Sequence, residues 1–391
     1  MSKYVSKKIA NVPVSSIRVI FDKARRMTDV VRMEIGEPDV DTPRNIKEAA
    51  TQALDEGYTH YTPFNGFSDL RQEISRKVKS DNGLQADPEK EIIVTPGACS
   101  AVYCSLLSII NPEEEVLVPD PGWPHYEVCV KMAGGVPIHY PQLEKNDFSA
   151  DPNDIGARIT PKTKAIVINS PNNPTGSVLS RKILDDISDI AMKNDLIVVS
   201  DEVYEKIIYD GHKNVSIGSL PGMKDRTITI NGFSKTYAMT GWRLGYAVAP
   251  AEIVDQMSKL VLYTATCANS MGQKAAIQAL KGKQNFVSEM AEEYKRKRDF
   301  VVKRLNEMKG ISCKLPKGAF YVFPNIKGLK MSSFECASYF LEESRVSTVP
   351  GAGFGEYGEG YLRLSYANSI ENLEKGMSRM EQALKNRLDT S

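Results

Sequence analysis

Asn231-Gly-Phe-Ser-Lys-Thr-Tyr-Ala-Met-Thr-Gly-Trp-Arg243 sets a lysine after a strand-like run and a glycine turn, with an arginine eight positions on. A lysine that forms a Schiff base must be fixed, partly desolvated and near an anion site. Lys235 and Arg243 have that spacing, although an isolated lysine is more often a solvated surface group. In Leu196-Ile-Val-Val-Ser-Asp-Glu-Val-Tyr204, Asp201 closes an apolar strand, where open α/β sheets place their ligands. Such a carboxylate either caps a helix or pairs with a cation such as a protonated ring nitrogen. Glu202 and Glu205 read as helix-terminus and surface carboxylates. Asn169-Ser-Pro-Asn-Asn-Pro-Thr-Gly176 follows another strand, and its prolines stiffen the turn. An amide there can donate to a phenolate oxygen; taken alone, the motif is turn chemistry. Thr95-Pro-Gly-Ala-Cys-Ser100 opens a helix whose free amides suit a phosphate. No Gly-Lys-Ser/Thr follows, so it is not a P-loop.

The elements that must hold these residues alternate. Strand-like runs lie at Ile92–Thr95, Val116–Val118, Ala165–Ile168, Leu196–Val199, Thr227–Ile230 and Arg243–Val248. Helical patterns lie between them, at Ala98–Ile110 and Leu179–Asn194, and earlier around Ile17, Ile20, Phe21 and Ala24, and around Ile46, Ala49, Ala50, Ala53 and Leu54. Continuous apolar strands between helices indicate a mostly parallel sheet covered on both faces. One long polar helix is expected from about Gln273 to Met308. The remainder, with strands near Phe320–Phe323, Ser347–Val349 and Tyr361–Ser365, suits a smaller α+β unit that packs with the N-terminal segment.

The chain has 391 residues, with 50 Lys and Arg against 49 Asp and Glu. That balance argues against a nucleic-acid surface. Six cysteines without a CxxC pair, and four histidines without HExxH, point to neither zinc nor a disulfide framework. No apolar run reaches the roughly 18 residues of a membrane span. The first residues lack an apolar signal region, so a reducing, cytoplasmic, metal-free protein is expected.

Together and in this order, the four motifs resemble those of the class I/II aminotransferases, pyridoxal-phosphate enzymes of the aspartate aminotransferase fold. The likeness runs from about residue 15 to 385. It implies an α/β fold with a large cofactor domain, whose mostly parallel seven-stranded sheet lies between helices. A small α+β domain is built from both chain ends. The implied division is 1–44 for the N-terminal arm and part of the small domain, 45–280 for the large domain and 281–391 for the small C-terminal domain. By the same resemblance Lys235 matches the Schiff-base lysine and proton carrier, and Asp201 the partner of the pyridine nitrogen, which makes the ring an electron sink. Tyr204 and Asn173 match the pair on the cofactor's 3-oxygen, and Trp123 the aromatic stacked on the ring. Gly97, Ala98, Cys99, Ser234 and Arg243 match the phosphate site. Tyr61 matches the tyrosine that reaches the neighbouring subunit's phosphate in a homodimer. Arg363 matches the arginine that clamps the substrate α-carboxylate, which suits a planar guanidinium, and Gly36 a backbone contact to the same group. Gly351-Ala-Gly-Phe-Gly-Glu-Tyr-Gly358 lacks the GxGxxG of a dinucleotide loop, because position 356 is Glu; it resembles the family's glycine-rich loop near the substrate.

The chain departs from aspartate-specific members. Cys99 stands where one subgroup has lysine, and no arginine lies between Arg243 and Arg296. Cys99 with nearby Tyr126 and Tyr263 suits aromatic, alanine-like or other neutral side chains; Arg18 is either a distal carboxylate ligand or a surface charge. The expected reaction moves an α-amino group from an L-amino acid (aspartate, aromatic or alanine-like) to a 2-oxo acid such as 2-oxoglutarate by a ping-pong mechanism. Alternatives are a β-lyase acting on cysteine conjugates, a regulator that binds the cofactor without turnover, and a nucleotide-dependent reductase. The short segment before the domain and the missing GxGxxG weigh against the last two.

Overall fold

The apolar runs that alternate with helical spacing join into one large sheet. The computed structural model describes residues 4–6 and 16–389. After β1 (Val31–Arg32) come β2 (Ile92–Thr95), β3 (Glu115–Asp120), β4 (Val136–Pro141), β5 (Thr163–Asn169), β6 (Ile197–Asp201), β7 (Thr227–Gly232) and β8 (Gly245–Val248). Strands β2 to β8 form the large sheet in the order β2-β8-β7-β6-β5-β3-β4. Strand β8 is antiparallel to both neighbours; every other pairing in the sheet is parallel.

Alternate residues of the strands serve opposite faces. Ala165 and Val167 join Val102 and Leu106 of the helix Ala98–Ile109 and Met257 of the helix Ala251–Thr264 in one core. Ile166 and Ile168 pack on the other face with Leu184 and Ile187 of the helix Arg181–Lys193. Both faces are therefore covered, as continuous apolar strands require. Strand β4 carries Pro137 and Pro141, which hid it from the apolar pattern; an edge position tolerates prolines.

The single helix expected from Gln273 to Met308 is two helices, Ser270–Lys281 and Asn285–Glu307. Gly282, a poor helix former, leaves the helical region at φ −68° and ψ 171°. Gln284 Nε2 then donates to the carbonyls of Ala279 and Gly282 and closes the first helix.

The later strands are β9 (Tyr321–Val322), β10 (Val346–Ser347), β11 (Val349–Pro350) and β12 (Leu362–Ser365). They form an antiparallel sheet β11-β12-β9 and a parallel pair β1-β10. Ile20 and Ala24 of the helix Ser16–Arg25 share a core with Phe340 and Leu341 of the helix Ser333–Glu343 and with Leu373 and Met377 of the helix Ile370–Asp389. The side chain of Ile17, expected on the same face, lies outside the described residues.

Candidate active site

Strands β5, β6 and β7 end side by side, in register Asn169↔Asp201 and Asp201↔Ile230. Above their carboxyl ends lies a cavity of about 330 Å³. Lys235 enters it from the helical turn Phe233–Thr236 directly after β7, where buried Phe233 anchors the turn. Its Nζ donates to the Gly36 carbonyl and stands 5.9 Å and 5.7 Å from the ring centres of Tyr204 and Phe320. Loss of water around the ammonium brings its pKa down to about 8; the positive charges of Arg363 and Arg243 act in the same direction and Glu37 opposes them.

Asp201 ends β6 and is 2 % exposed. Its carboxylate accepts from Tyr126 Oη at 2.6 Å and from the Val203 N–H at 3.3 Å. Burial pushes its pKa up, while these donors and the charge of Lys235 pull it back. Asn169 Nδ2 donates to the Asp201 carbonyl at 3.0 Å, and Asn169 Oδ1 accepts the Asn173 N–H at 2.9 Å, so one amide ties two strand ends together. Tyr204 Oη and Tyr321 Oη share a hydrogen bond of 2.8 Å. Trp123 lies edge-on to Tyr126, 5.4 Å between centres, and lines the cavity.

At one end Gly97 precedes the helix Ala98–Ile109 with φ +85°, a value that favours glycine. A Cβ there would sit 2.5 Å from Arg243 Nη2, so the guanidinium lies directly against the loop. Arg243 Nη1 donates to the Thr240 carbonyl at 2.8 Å, and Nη2 is 4.0 Å from Cys99 Sγ. Helix amides, the Ser234 hydroxyl and this guanidinium form a donor set suited to a phosphate dianion. At the other end, Arg363 of β12 donates through Nη1 to Asn173 Oδ1 at 3.3 Å and through Nη2 to the Glu34 carbonyl. Its guanidinium carbon lies 4.6 Å from the Tyr321 ring and 5.2 Å from the Phe354 ring, and its Nε is buried without a partner. A planar cation with a spare buried donor fits a carboxylate.

The cavity therefore gathers Gly36, Ala98, Cys99, Trp123, Asn173, Asp201, Tyr204, Ser234, Lys235, Arg243 and Arg363. Gly97 lies just behind it, against Arg243. Tyr61 and Tyr263 do not line it and are 84 % and 85 % exposed, whereas Tyr126 is buried at its floor. Arg18 pairs with Asp22 at 3.5 Å, in an adjoining groove with Phe21, Trp123 and Arg363.

Two readings from the sequence need correction. Glu202 and Glu205 are 2 % and 7 % exposed, not surface groups. Glu202 accepts from Ser200, Ser216 and Asn214, and Glu205 from Asn82 and Lys77. Burial followed by the nearby Glu205 raises the Glu202 pKa to about 7. Apart from Ser200, the partners come from other segments, which the local pattern does not show. Tyr321, which touches both Tyr204 and Arg363, escaped notice; its one signal is a tyrosine in an otherwise apolar strand.

A family model for aminotransferase class I and II matches residues 28–380. The aromatic-amino-acid aminotransferase 2 of Thermococcus litoralis is 47% identical over 383 residues, spanning 97% of this chain and 98% of that protein. The aspartate aminotransferase of Pyrococcus abyssi is 49% identical over 383 residues, with the same coverage. The crystal structure of the aromatic aminotransferase from Pyrococcus horikoshii OT3 superposes with a TM-score of 0.91 at 48% identity, covering 94% of this chain and 99% of that one.

Proposed function

The chain belongs to the class I and II aminotransferase family, and from that premise we propose how its residues carry out amino-group transfer. The protein is a transferase of amino groups; the lyase reaction is not favoured, because the relatives are aminotransferases. The resident cofactor in this reading is pyridoxal 5'-phosphate. The cavity suits it: a phosphate-type donor set at Gly97, Ala98, Cys99, Ser234 and Arg243, a half-buried, desolvated amine at Lys235 and a buried carboxylate at Asp201. When bound, the cofactor supplies a reactive carbonyl and a ring that accepts the electron pair left at the substrate α-carbon.

The chain's own groups do the rest. Lys235 Nζ, neutral once the pH exceeds about 8, is the nucleophile and the carrier of the α-proton. Asp201 would hold a proton on the ring nitrogen, and the positive charge so held would oppose the burial that raises its own pKa. Tyr126 Oη donates to Asp201 and keeps it ionised. Tyr204 and Asn173 would hydrogen-bond the cofactor's 3-oxygen, and Trp123 would stack on the ring. Arg363, with the backbone at Gly36, holds the α-carboxylate and so selects which α-carbon bond breaks.

Aromatic, aspartate and alanine-like donors remain candidates, with 2-oxoglutarate as acceptor. The aromatic names among the relatives agree with the Phe21, Trp123 and Phe354 walls of the groove beside Arg363. The working form in this reading is a homodimer, in which exposed Tyr61 completes the phosphate end of a second copy. The division at residues 44 and 280 and a cytoplasmic location belong to the same reading; no helix among the described residues is long and apolar enough to cross a membrane.

The observation that carries the reading is a desolvated Lys235 amine sharing one cavity with Asp201 and Arg363. The test is the visible spectrum of the cofactor-loaded protein, recorded while single amino acids are added without a 2-oxo acid. Loss of the yellow band with gain of a near-ultraviolet band is expected, and the most effective amino acid ranks the donors. A colourless protein even after the cofactor is supplied would sink the role of Lys235. Release of pyruvate and ammonia without an acceptor would point back to a lyase.

A further inference from the structure

The glycine-rich loop beside the substrate end is pinned from below by a carboxylate that the reaction itself does not use. Asp120, the last residue of β3, is 2 % exposed. Its Oδ2 accepts the Glu356 N–H at 2.9 Å and its Oδ1 accepts the Tyr357 N–H at 3.1 Å. The Gly122 N–H donates to the Phe354 carbonyl at 2.8 Å on the same seam. Gly355, between the two gripped segments, has φ +129°, and a Cβ on it would sit 2.1 Å from Asp120 Oδ1. A side chain at 355 would therefore expel the carboxylate.

The other edge of the loop is held separately. Ser333 Oγ donates to Glu359 at 2.7 Å and accepts the Ala352 N–H at 3.2 Å. Asp120 itself needs no help from the loop to stay in the sheet: it pairs with Pro141, and its carbonyl accepts the Gln142 N–H at 2.7 Å. The carboxylate also stands 3.5 Å from His139 Nδ1 of β4, whose pKa it raises, but both of its hydrogen bonds to backbone amides act on the loop. The loop carries Phe354, 5.2 Å from the Arg363 guanidinium, and Asp120 stands three residues before Trp123.

We propose that Asp120 is a positioning residue that fastens the loop Gly351–Gly358 to the end of β3, setting Phe354 and Arg363 opposite Trp123 to receive an α-amino acid. The inference rests on the reading of Arg363 and Trp123 as substrate residues. A buried carboxylate without partners is costly, and charge-assisted bonds to two successive amides fix both the height and the tilt of the loop.

The test uses the cofactor-loaded enzyme and compares Asp120→Ala, Asp120→Asn and Gly355→Ala. Asp120→Ala is expected to raise KM for amino donors by about tenfold, the scale of one lost charge-assisted bond. kcat should stay within roughly threefold, and the cofactor absorption band should be unchanged. Asp120→Asn keeps one acceptor oxygen and should recover part of the KM. Gly355→Ala attacks the same contact from the loop side and should raise KM in the same sense; with Asp120→Asn it serves if Asp120→Ala does not fold. An unchanged KM in a folded Asp120→Ala overturns the proposal. So does a loss of cofactor affinity and melting temperature in step with KM, which would make Asp120 only a structural prop. Arg363→Leu is measured in parallel. If it leaves KM unchanged, the substrate-site reading fails and takes the latch with it; if it raises KM while Asp120→Ala does not, the latch alone fails.

Discussion

The floor of the cavity and the wall facing it differ in how fully their polar groups are partnered. On the floor, Asn169 and Asp201 end adjacent parallel strands and Asn173 lies in the turn after β5; the three bond to one another or to Tyr126, and Asn231 Nδ2 of the adjoining β7 is the exception, buried without a partner. On the wall, Arg363 Nε, Glu34 Oε2, Arg32 Nη2, Ser347 Oγ and Thr348 Oγ1 are buried without a protein partner. The wall is drawn from β1, β10, β12 and the chain between them, where Arg32 pairs with Glu34 and Ser347 lies beside Arg32. Unsatisfied buried groups cost free energy. The difference teaches a division of labour: parallel register presets the floor, while on the wall Arg363, which lines the cavity, keeps a spare Nε donor for an incoming carboxylate.

The sharpest way to break this contrast is on the floor. Lys235→Ala should lower transamination at least ~10⁴-fold, since nucleophile and proton carrier go together. Circular dichroism should show the fold retained. Substantial residual turnover would remove Lys235 from the chemistry.

A second test reads the floor through pH. Lys235 titrates at about 8 in the folded chain against an ordinary 10.5. Between these values the unfolded chain binds more protons, so burying Lys235 costs stability below about pH 8, and that cost fades as pH rises toward 10.5. At pH 8 about half of the amine is neutral, against about 0.3 % for an ordinary lysine. In cofactor-free protein, labelling of Lys235 by an amine-reactive reagent should therefore show a midpoint near 8. A midpoint near 10.5 would return the lysine to solvent.

The wall is tested by Arg363→Leu. Losing charge-assisted bonds to a carboxylate should weaken amino-acid binding by ~2–3 kcal/mol, roughly 30- to 150-fold, expressed mainly in KM. A fall in kcat at constant KM would mean that Arg363 acts on the reacting atoms and not on recognition.

The same contrast explains what was legible in the sequence. Floor residues announce themselves because each closes or follows a strand-like run: Asp201 ends Ile197–Asp201, Asn169 ends Thr163–Asn169 and Lys235 comes three residues after Thr227–Gly232. Strand periodicity and a turn residue suffice to place them. Wall contacts join positions far apart, such as Arg363 with Glu34 and Tyr204 with Tyr321. No local pattern encodes that distance, and only the family resemblance pointed to Arg363. Glu202 shows the limit most plainly. It follows Asp201 directly and read as a surface group, yet Asn82 from one segment and Asn214 and Ser216 from another converge on it.

The smallest effect separates the two regions by a matched pair of helix caps. Ser180 caps the helix Arg181–Lys193, which covers the large sheet, by accepting the Ile183 N–H. Ser332 caps the helix Ser333–Glu343 in a reciprocal capping box with Glu335. Each change to Ala should cost ~1 kcal/mol of stability, because each frees one backbone N–H at a helix start. Calorimetry should find the two losses similar. Kinetics should not, if the wall is the looser part. Loosening the first turn at Ser332 also loosens Ser333, which braces the loop at Ala352 and through it Phe354. Ser332→Ala should then raise KM by about twofold, the scale of a few tenths of a kcal/mol, while Ser180→Ala leaves KM unchanged. Equal KM values in both variants would mean that the wall is as firmly preset as the floor, and that the spare Nε of Arg363 is not held in reserve for substrate.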